Sequence, residues 1–177
     1  MKVISVFGSN RPVPGDKDYQ DAHDLGAFLA QAGYAVATGG YMGSMEAVSQ
    51  GAASAGGHVI GVTCDEIESW RNAKPNPYLT EEIRYHTLWE RLVHVVTHNN
   101  GIIALPGGIG TLTEVMLAWS QLQIDVLAPR PFILLGDFWQ RAMNAMVNPA
   151  YISADHISFL KHAKSPEAAV ALLQDYD

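Results

Sequence analysis

Between Pro106 and Glu114 the chain reads PGGIGTLTE. Gly107, Gly108 and Gly110 precede Thr111, and Glu114 lies three residues beyond Thr111 and four beyond Gly110. Glycines let a backbone come close to a ligand. A helix starting directly afterwards offers unpaired N–H groups and a positive dipole end. Together these make an anion site, most often for phosphate. On a helix beginning near Gly110, Glu114 stands one turn in, on the face of Gly110 and Thr111. A carboxylate there can reach a ribose whose phosphate rests on the loop. The same spacing also describes a surface glutamate that simply favours a helix N-terminus.

Two more glycine loops follow strand-like runs. GSNR carries Gly8 and Ser9, and TGGYMGS carries Gly39, Gly40 and Gly43. None of the three loops has the lysine of a P-loop, and the first lacks the dinucleotide fingerprint. The second strand ends in ATGG, without the acid that holds a ribose hydroxyl in dinucleotide sites. A mononucleotide or sugar phosphate therefore fits better than a dinucleotide.

Arg91 belongs to a segment where Leu88, Arg91, Val95 and His98 recur at helical spacing. An arginine on so apolar a face needs an anionic partner, which is either a ligand or a structural carboxylate. His94 and His98 are four apart, but no third ligand stands at a telling spacing, and no metal site is expected. Trp70, Trp89, Trp119 and Trp139 read as core or interface residues, with Trp70 also placed to stack on a base. Cys64 has no identifiable histidine partner.

The elements that position these residues alternate. Strand-like runs at 3–7, 34–38, 58–63, 101–105 and 131–136 are apolar and mostly β-branched. Helical periodicity marks 18–33, 44–57, 87–99, 110–124 and 138–147. A short strand is expected within 81–86 and a last one at 157–163, before a helix capped by Ser165 with Pro166 at its first position. Residues 64–79 are polar, carry two prolines and show no period, which reads as a long functional loop. Strands alternating with helices imply a three-layer α/β domain around a mostly parallel sheet, here spanning residues 1–177. Ligands in such sheets bind beyond the carboxyl ends of the strands, which are the loops at 8–11, 38–44, 63–80 and 105–111.

Composition narrows the partners. A net charge of −7 and 11 scattered basic residues argue against a nucleic-acid surface. No apolar run approaches the ~20 residues of a membrane helix, and the first apolar run reads as a strand rather than a signal peptide. One cysteine permits no intrachain disulfide and fits a reducing, cytoplasmic compartment.

At this point the chain resembles a known family. PGGIGTLTE matches the PGGxGTxxE motif of the Lonely Guy family, once labelled lysine decarboxylases. VFGSN, the stretch from LGAFLAQAGYAVATGGYMGS to HVIGV, ERL and AWSQLQI are similar to its other landmarks. The resemblance implies a Rossmann-like fold, a homodimer or higher homo-oligomer, no cofactor, and hydrolysis of nucleoside 5′-monophosphates to free base and ribose 5-phosphate. It puts the catalytic pair on Arg91 and Glu114. It puts the phosphate on Gly107, Gly108, Gly110 and Thr111, with Gly8, Ser9 and the Gly39–Gly43 loop completing the pocket. Arg91-Leu92 stands where the family has Arg-Lys, and Trp89 where plant-like members have His. Molybdenum-cofactor carrier proteins share the layout and bind a phosphorylated pterin without hydrolysing it, which is the alternative. None of the five lysines lies in a motif loop, so the decarboxylase label is not supported.

Overall fold

Short, continuously apolar runs become central strands when both of their faces are covered. In the computed structural model, which describes residues 1–174 and 176, that is their environment. The chain order is β1 (Val3–Phe7), α1 (Lys17–Gln31), β2 (Ala35–Thr38), α2 (Ser44–Ser54), β3 (Val59–Cys64), α3 (Asp65–Arg71), β4 (Glu81–Tyr85) and α4 (Leu88–Thr97). There follow β5 (Gly101–Ala104), α5 (Ile109–Gln123), β6 (Phe132–Leu135), α6 (Asp137–Met146), α7 (Ala154–Ile157), β7 (Leu160–Ala163) and α8 (Pro166–Gln174). Among the described residues the seven strands form one sheet in the order β4-β3-β2-β1-β5-β6-β7. Every neighbouring pair is parallel. The sheet is thus more uniform than the mostly parallel one expected, and the fold is Rossmann-like.

The helices cover two faces. On one, α1, α2 and α8 pack Leu25, Leu29, Val48 and Leu173 against Ile4, Val36 and Ile103. On the other, α4, α5 and α6 pack Val95, Trp119 and Trp139 against Val62, Ile102, Phe132 and Leu134. Trp119 and Trp139 are therefore core residues, whereas Trp70 and Trp89 stand exposed outside it. The wholly buried Trp139 indole donates to the Leu105 carbonyl at 3.1 Å, and Leu105 N donates to Phe7 O at 2.9 Å. The loop after β5 is thereby pinned at its root. Strand order runs outward from β1 in one direction and from β5 in the other. The β1–β5 boundary is thus the topological switch point, where side-by-side loops diverge and leave a crevice.

Two sequence expectations change. Residues 64–79 do not form one loop, because α3 occupies the first part. Apolar period is absent there since no side chain of α3 is fully buried. Its signal is charge: Asp65, Glu66 and Glu68 in the first turn, Arg71 in the last, and Asn72 closing it in the left-handed region at φ 49°. The last strand begins at Leu160 rather than 157, because Ser153 caps a helical turn at Ala154–Ile157 by accepting from His156 N. The expected Ser165 cap is present, with Ala168 N donating to Ser165 Oγ at 3.3 Å.

Helices α1 and α2 touch backbone to backbone. A Cβ on Gly26 would overlap the Val48 carbonyl oxygen and lie 2.9 Å from its carbon. One on Gly51 would overlap the His23 carbonyl oxygen, 2.8 Å from its carbon. Neither neighbour is a flexible side chain that could move aside. Overpacking of this kind typically costs about 1–3 kcal/mol. Gly51→Ala is expected to lower the melting temperature by several degrees, as differential scanning calorimetry would show; an unchanged or higher value would contradict the tight crossing.

Candidate functional site

Arg91 reaches the crevice because of how α4 starts. Thr87 and Glu90 form a capping box, with Thr87 Oγ1 accepting from Glu90 N and Glu90 Oε2 accepting from Thr87 N. This fixes the first turn and turns Arg91, Leu92, Val95 and Val96 inward. Arg91 is only 5% exposed. Its Nε donates to Val62 O at 2.8 Å, and its Nη1 donates to Glu114 Oε1 at 3.5 Å. The Tyr41 ring centre lies 6.0 Å from the guanidinium carbon. The anionic partner that an arginine on an apolar face requires is therefore Glu114, the acid of the glycine motif.

Glu114 is 8% exposed and lies on the inner side of α5. It is not the surface glutamate that its spacing also allowed. Burial pushes its pKa above the usual 4.5, and the Arg91 guanidinium pulls it part of the way back. The 3.5 Å contact is long for a charge-assisted hydrogen bond. The pair is thus held close without being saturated.

Both side chains open onto a cavity of about 670 Å³ at the switch point. Of the residues expected to bind substrate, Gly8, Ser9, Gly39, Gly108, Gly110 and Thr111 line it, together with Arg91 and Glu114. Gly40, Gly43 and Gly107 do not line it; they stand behind the wall. Gly43 has φ +77°, and a Cβ there would overlap Ser9 O and lie 2.5 Å from the Asn10 carbonyl carbon, so it lets two glycine loops close on each other. A Cβ on Gly107 would overlap Thr111 Oγ1, which tucks under the loop. A Cβ on Gly39 would overlap Arg91 Nη2 and lie 2.6 Å from Met45 Sδ. The second loop is therefore glycine where the guanidinium passes.

Sequence reasoning missed the group that holds this loop from behind. Asn76 N donates to Gly40 O at 2.8 Å, and its Nδ2 is within 3.1 Å of both Gly40 O and Tyr41 O. Tyr41 Oη accepts from Cys64 N at 2.9 Å and donates to Cys64 O at 3.1 Å. Burial lifts the Tyr41 pKa to about 12, so the phenol stays a neutral donor. The one sequence signal for Asn76 was its place in KPNPY, where Asn between prolines forms a turn; Tyr78 N donates to its Oδ1 at 3.1 Å.

The histidines play no visible part in the cavity. His94 and His98 stack with ring centres 4.4 Å apart, and Tyr85 Oη lies 2.9 Å from His94 Nδ1. Among the described residues no group of three His, Cys, Asp or Glu side chains could hold a metal ion. No helix among them is long and apolar enough to cross a membrane.

Fold and site together define an α/β protein with a glycine-walled switch-point pocket over a buried Arg–Glu pair. The family described as "Possible lysine decarboxylase" matches residues 45–173, and the chain belongs to it, the Lonely Guy family of the sequence resemblance. The cytokinin riboside 5′-monophosphate phosphoribohydrolase of Rhodococcoides fascians is 32% identical over 139 residues, covering 77% of this chain and 68% of that protein. A protein of the same name from Arabidopsis thaliana is 31% identical across 99% of this chain and 84% of its own length. Among solved structures, the molybdenum cofactor binding protein of Rippkaea orientalis has a TM-score of 0.76 at 28% identity, over 99% of this chain and 96% of that one. The older label does not suit the pocket: holding pyridoxal phosphate covalently takes a pocket lysine, and none of Lys2, Lys17, Lys74, Lys161 and Lys164 lines it.

The Glu114 pKa has a consequence for stability. The unfolded chain ionises this group at its ordinary value, whereas the folded chain resists ionisation until higher pH. Folded stability from this group is therefore full below the ordinary value and is lost as pH rises through the raised one. Glu114→Gln removes the penalty. Its melting temperature relative to wild type is expected to rise between pH 4 and pH 8, and a falling difference would show that Arg91 overcompensates burial.

Proposed function

We propose that this chain hydrolyses the N-glycosidic bond of a nucleoside 5′-monophosphate, releasing free base and ribose 5-phosphate. The observation that carries this reading is the Glu114 carboxylate, buried beside Arg91 and opening into the cavity directly beneath the first turn of α5. A 5′-phosphate on the N–H groups at Gly108–Gly110 leaves its ribose within about one helical turn of Glu114. The relatives named as phosphoribohydrolases support the same chemistry.

Cleavage breaks the C1′–N bond and leaves an oxocarbenium-like ribose, as in other glycoside hydrolyses. Glu114, as carboxylate, offsets that charge and takes a proton from the water whose oxygen bonds to C1′. The electron pair of the broken bond goes to the base nitrogen. A guanidinium does not surrender a proton at working pH, so Arg91 stabilises developing negative charge and fixes the carboxylate, while the base takes its proton from water. Because burial raises the Glu114 pKa, kcat/KM should fall on the acid side at a pH above the ordinary glutamate value.

One observation favours a second reading, a carrier of a phosphorylated pterin. Arg11 and Arg71 also line the cavity, which adds two cations to its wall. The structural likeness to a molybdenum cofactor binding protein points the same way. Arg84, in contrast, is taken up by Asp65, Glu68 and Glu82.

Incubation with AMP and the other nucleoside monophosphates, with chromatography for free base, decides between the two. Release of base is expected from at least one, and Glu114→Gln is expected to lower kcat at least 100-fold, in line with ~10²–10⁴-fold contributions from general bases, while AMP still binds. Full activity in that variant would remove Glu114 from the mechanism. No release from any nucleotide, with tight binding of a pterin phosphate, would establish the carrier.

A further inference from the structure

Helix α3 has two working faces. Ile67, Trp70 and Arg71 follow i, i+3, i+4 spacing and all three line the cavity. Ile67 packs beside Tyr41, Met45 and Ala73, which seats this face against the second glycine loop. Asp65 and Glu68 serve the other side. Arg84 of β4 donates through Nε to Asp65 Oδ1 at 2.8 Å and grips Glu68 with both terminal nitrogens, at 3.1 and 2.7 Å. Asp65 Oδ2 also meets His86 Nδ1 at 2.8 Å, and Glu66 Oε2 accepts from Leu88 N at 2.7 Å. Single exposed ion pairs are weak, but a two-pronged arginine within a network fixes geometry.

The Trp70 indole is left 75% exposed on the cavity side of this anchored helix. It contributes little to the core from there. The Arg71 guanidinium carbon lies 4.7 Å from its ring centre, covering one ring face and restraining its orientation. The first turn of α5, the expected phosphate cradle, lines the same cavity. An aromatic and an anion cradle on the wall of one cavity suit a ligand with a flat ring and a phosphate.

We propose that Trp70 is the stacking platform for the nitrogen heterocycle of the ligand, and that Arg84 is a positioning residue that holds α3 so that the indole faces the cavity. The proposal rests on the reading above only in that the ligand joins a ring to a phosphate; it holds for a purine nucleotide and for a pterin phosphate alike.

Calorimetric titration of the full chain, carrying Glu114→Gln so that nucleotide persists, tests it. The ligands are AMP, a pterin phosphate and ribose 5-phosphate, which has no ring system. Trp70→Ala is expected to weaken the ring-bearing ligand roughly ten-fold or more, while ribose 5-phosphate is unmoved and Trp70→Phe restores most of the loss. Arg84→Ala should weaken the same ligand and spare ribose 5-phosphate. Whichever of AMP and the pterin phosphate loses more identifies the ring. Equal loss for all three ligands, or no loss for any, would overturn the platform. So would a change of particle mass on Trp70→Ala, which would assign the indole to a contact between copies. Failure of the parent protein to bind any of the three would overturn the ligand reading itself.

Discussion

A guanidinium withdrawn from water sets the terms for everything around it. Arg91 is held beside β3 and the loop that follows β2, and each neighbour answers its charge or its bulk. Val62 supplies a carbonyl, Glu114 a carboxylate, Tyr41 a ring face and Gly39 an absent side chain. Removing water from such a charge is expensive unless it is paired. The pairing here is incomplete by design of the geometry, since the Glu114 contact is long and burial still lifts its pKa. A carboxylate in that condition gains from any positive charge that develops in the cavity. The cost of burying the pair is thereby linked to what the pair can do.

Much of the scaffold could be read from the residues, because the five inner strands are mostly apolar and buried and the main helices carry a buried stripe. The α5 motif was readable for another reason: glycine spacing, dipole and acid all lie within one helical turn. Arg91 stood out because a charge on an apolar face demands an explanation. Two features stayed hidden. Helix α3 buries no side chain fully, so it has no period, and only its end charges betray it. Asn76 acts through a turn between prolines and reaches Gly40, 36 positions away in sequence. Contacts made by backbone geometry across such separations leave no local pattern to find.

The pocket is built in two qualities. One part is braced: the Gly43 junction is tightly closed, the Arg91–Glu114 pair is buried, and the loop leading to α5 is pinned at its root by the Trp139–Leu105 contact. The other part, formed by Arg11, Trp70 and Arg71, stands at the rim on exposed segments. In the proposed reading, phosphate recognition falls to the braced part and is common to nucleotides and pterin phosphates. Discrimination between such ligands then falls to the rim. This accounts for how one architecture accommodates both the hydrolases and the cofactor-binding proteins it is similar to.

Helix α3 owes its place to carboxylates on the protein surface rather than to the core. What it must keep is the acids that meet Arg84, His86 and Leu88, and Ile67, which packs beside Tyr41 and Met45. Residues 65–71 are thus tied to β4 and to the second glycine loop rather than to the two main core layers. The entrance to the pocket is therefore the part of the fold that salt reaches first, since exposed ion pairs are screened and packed layers are not.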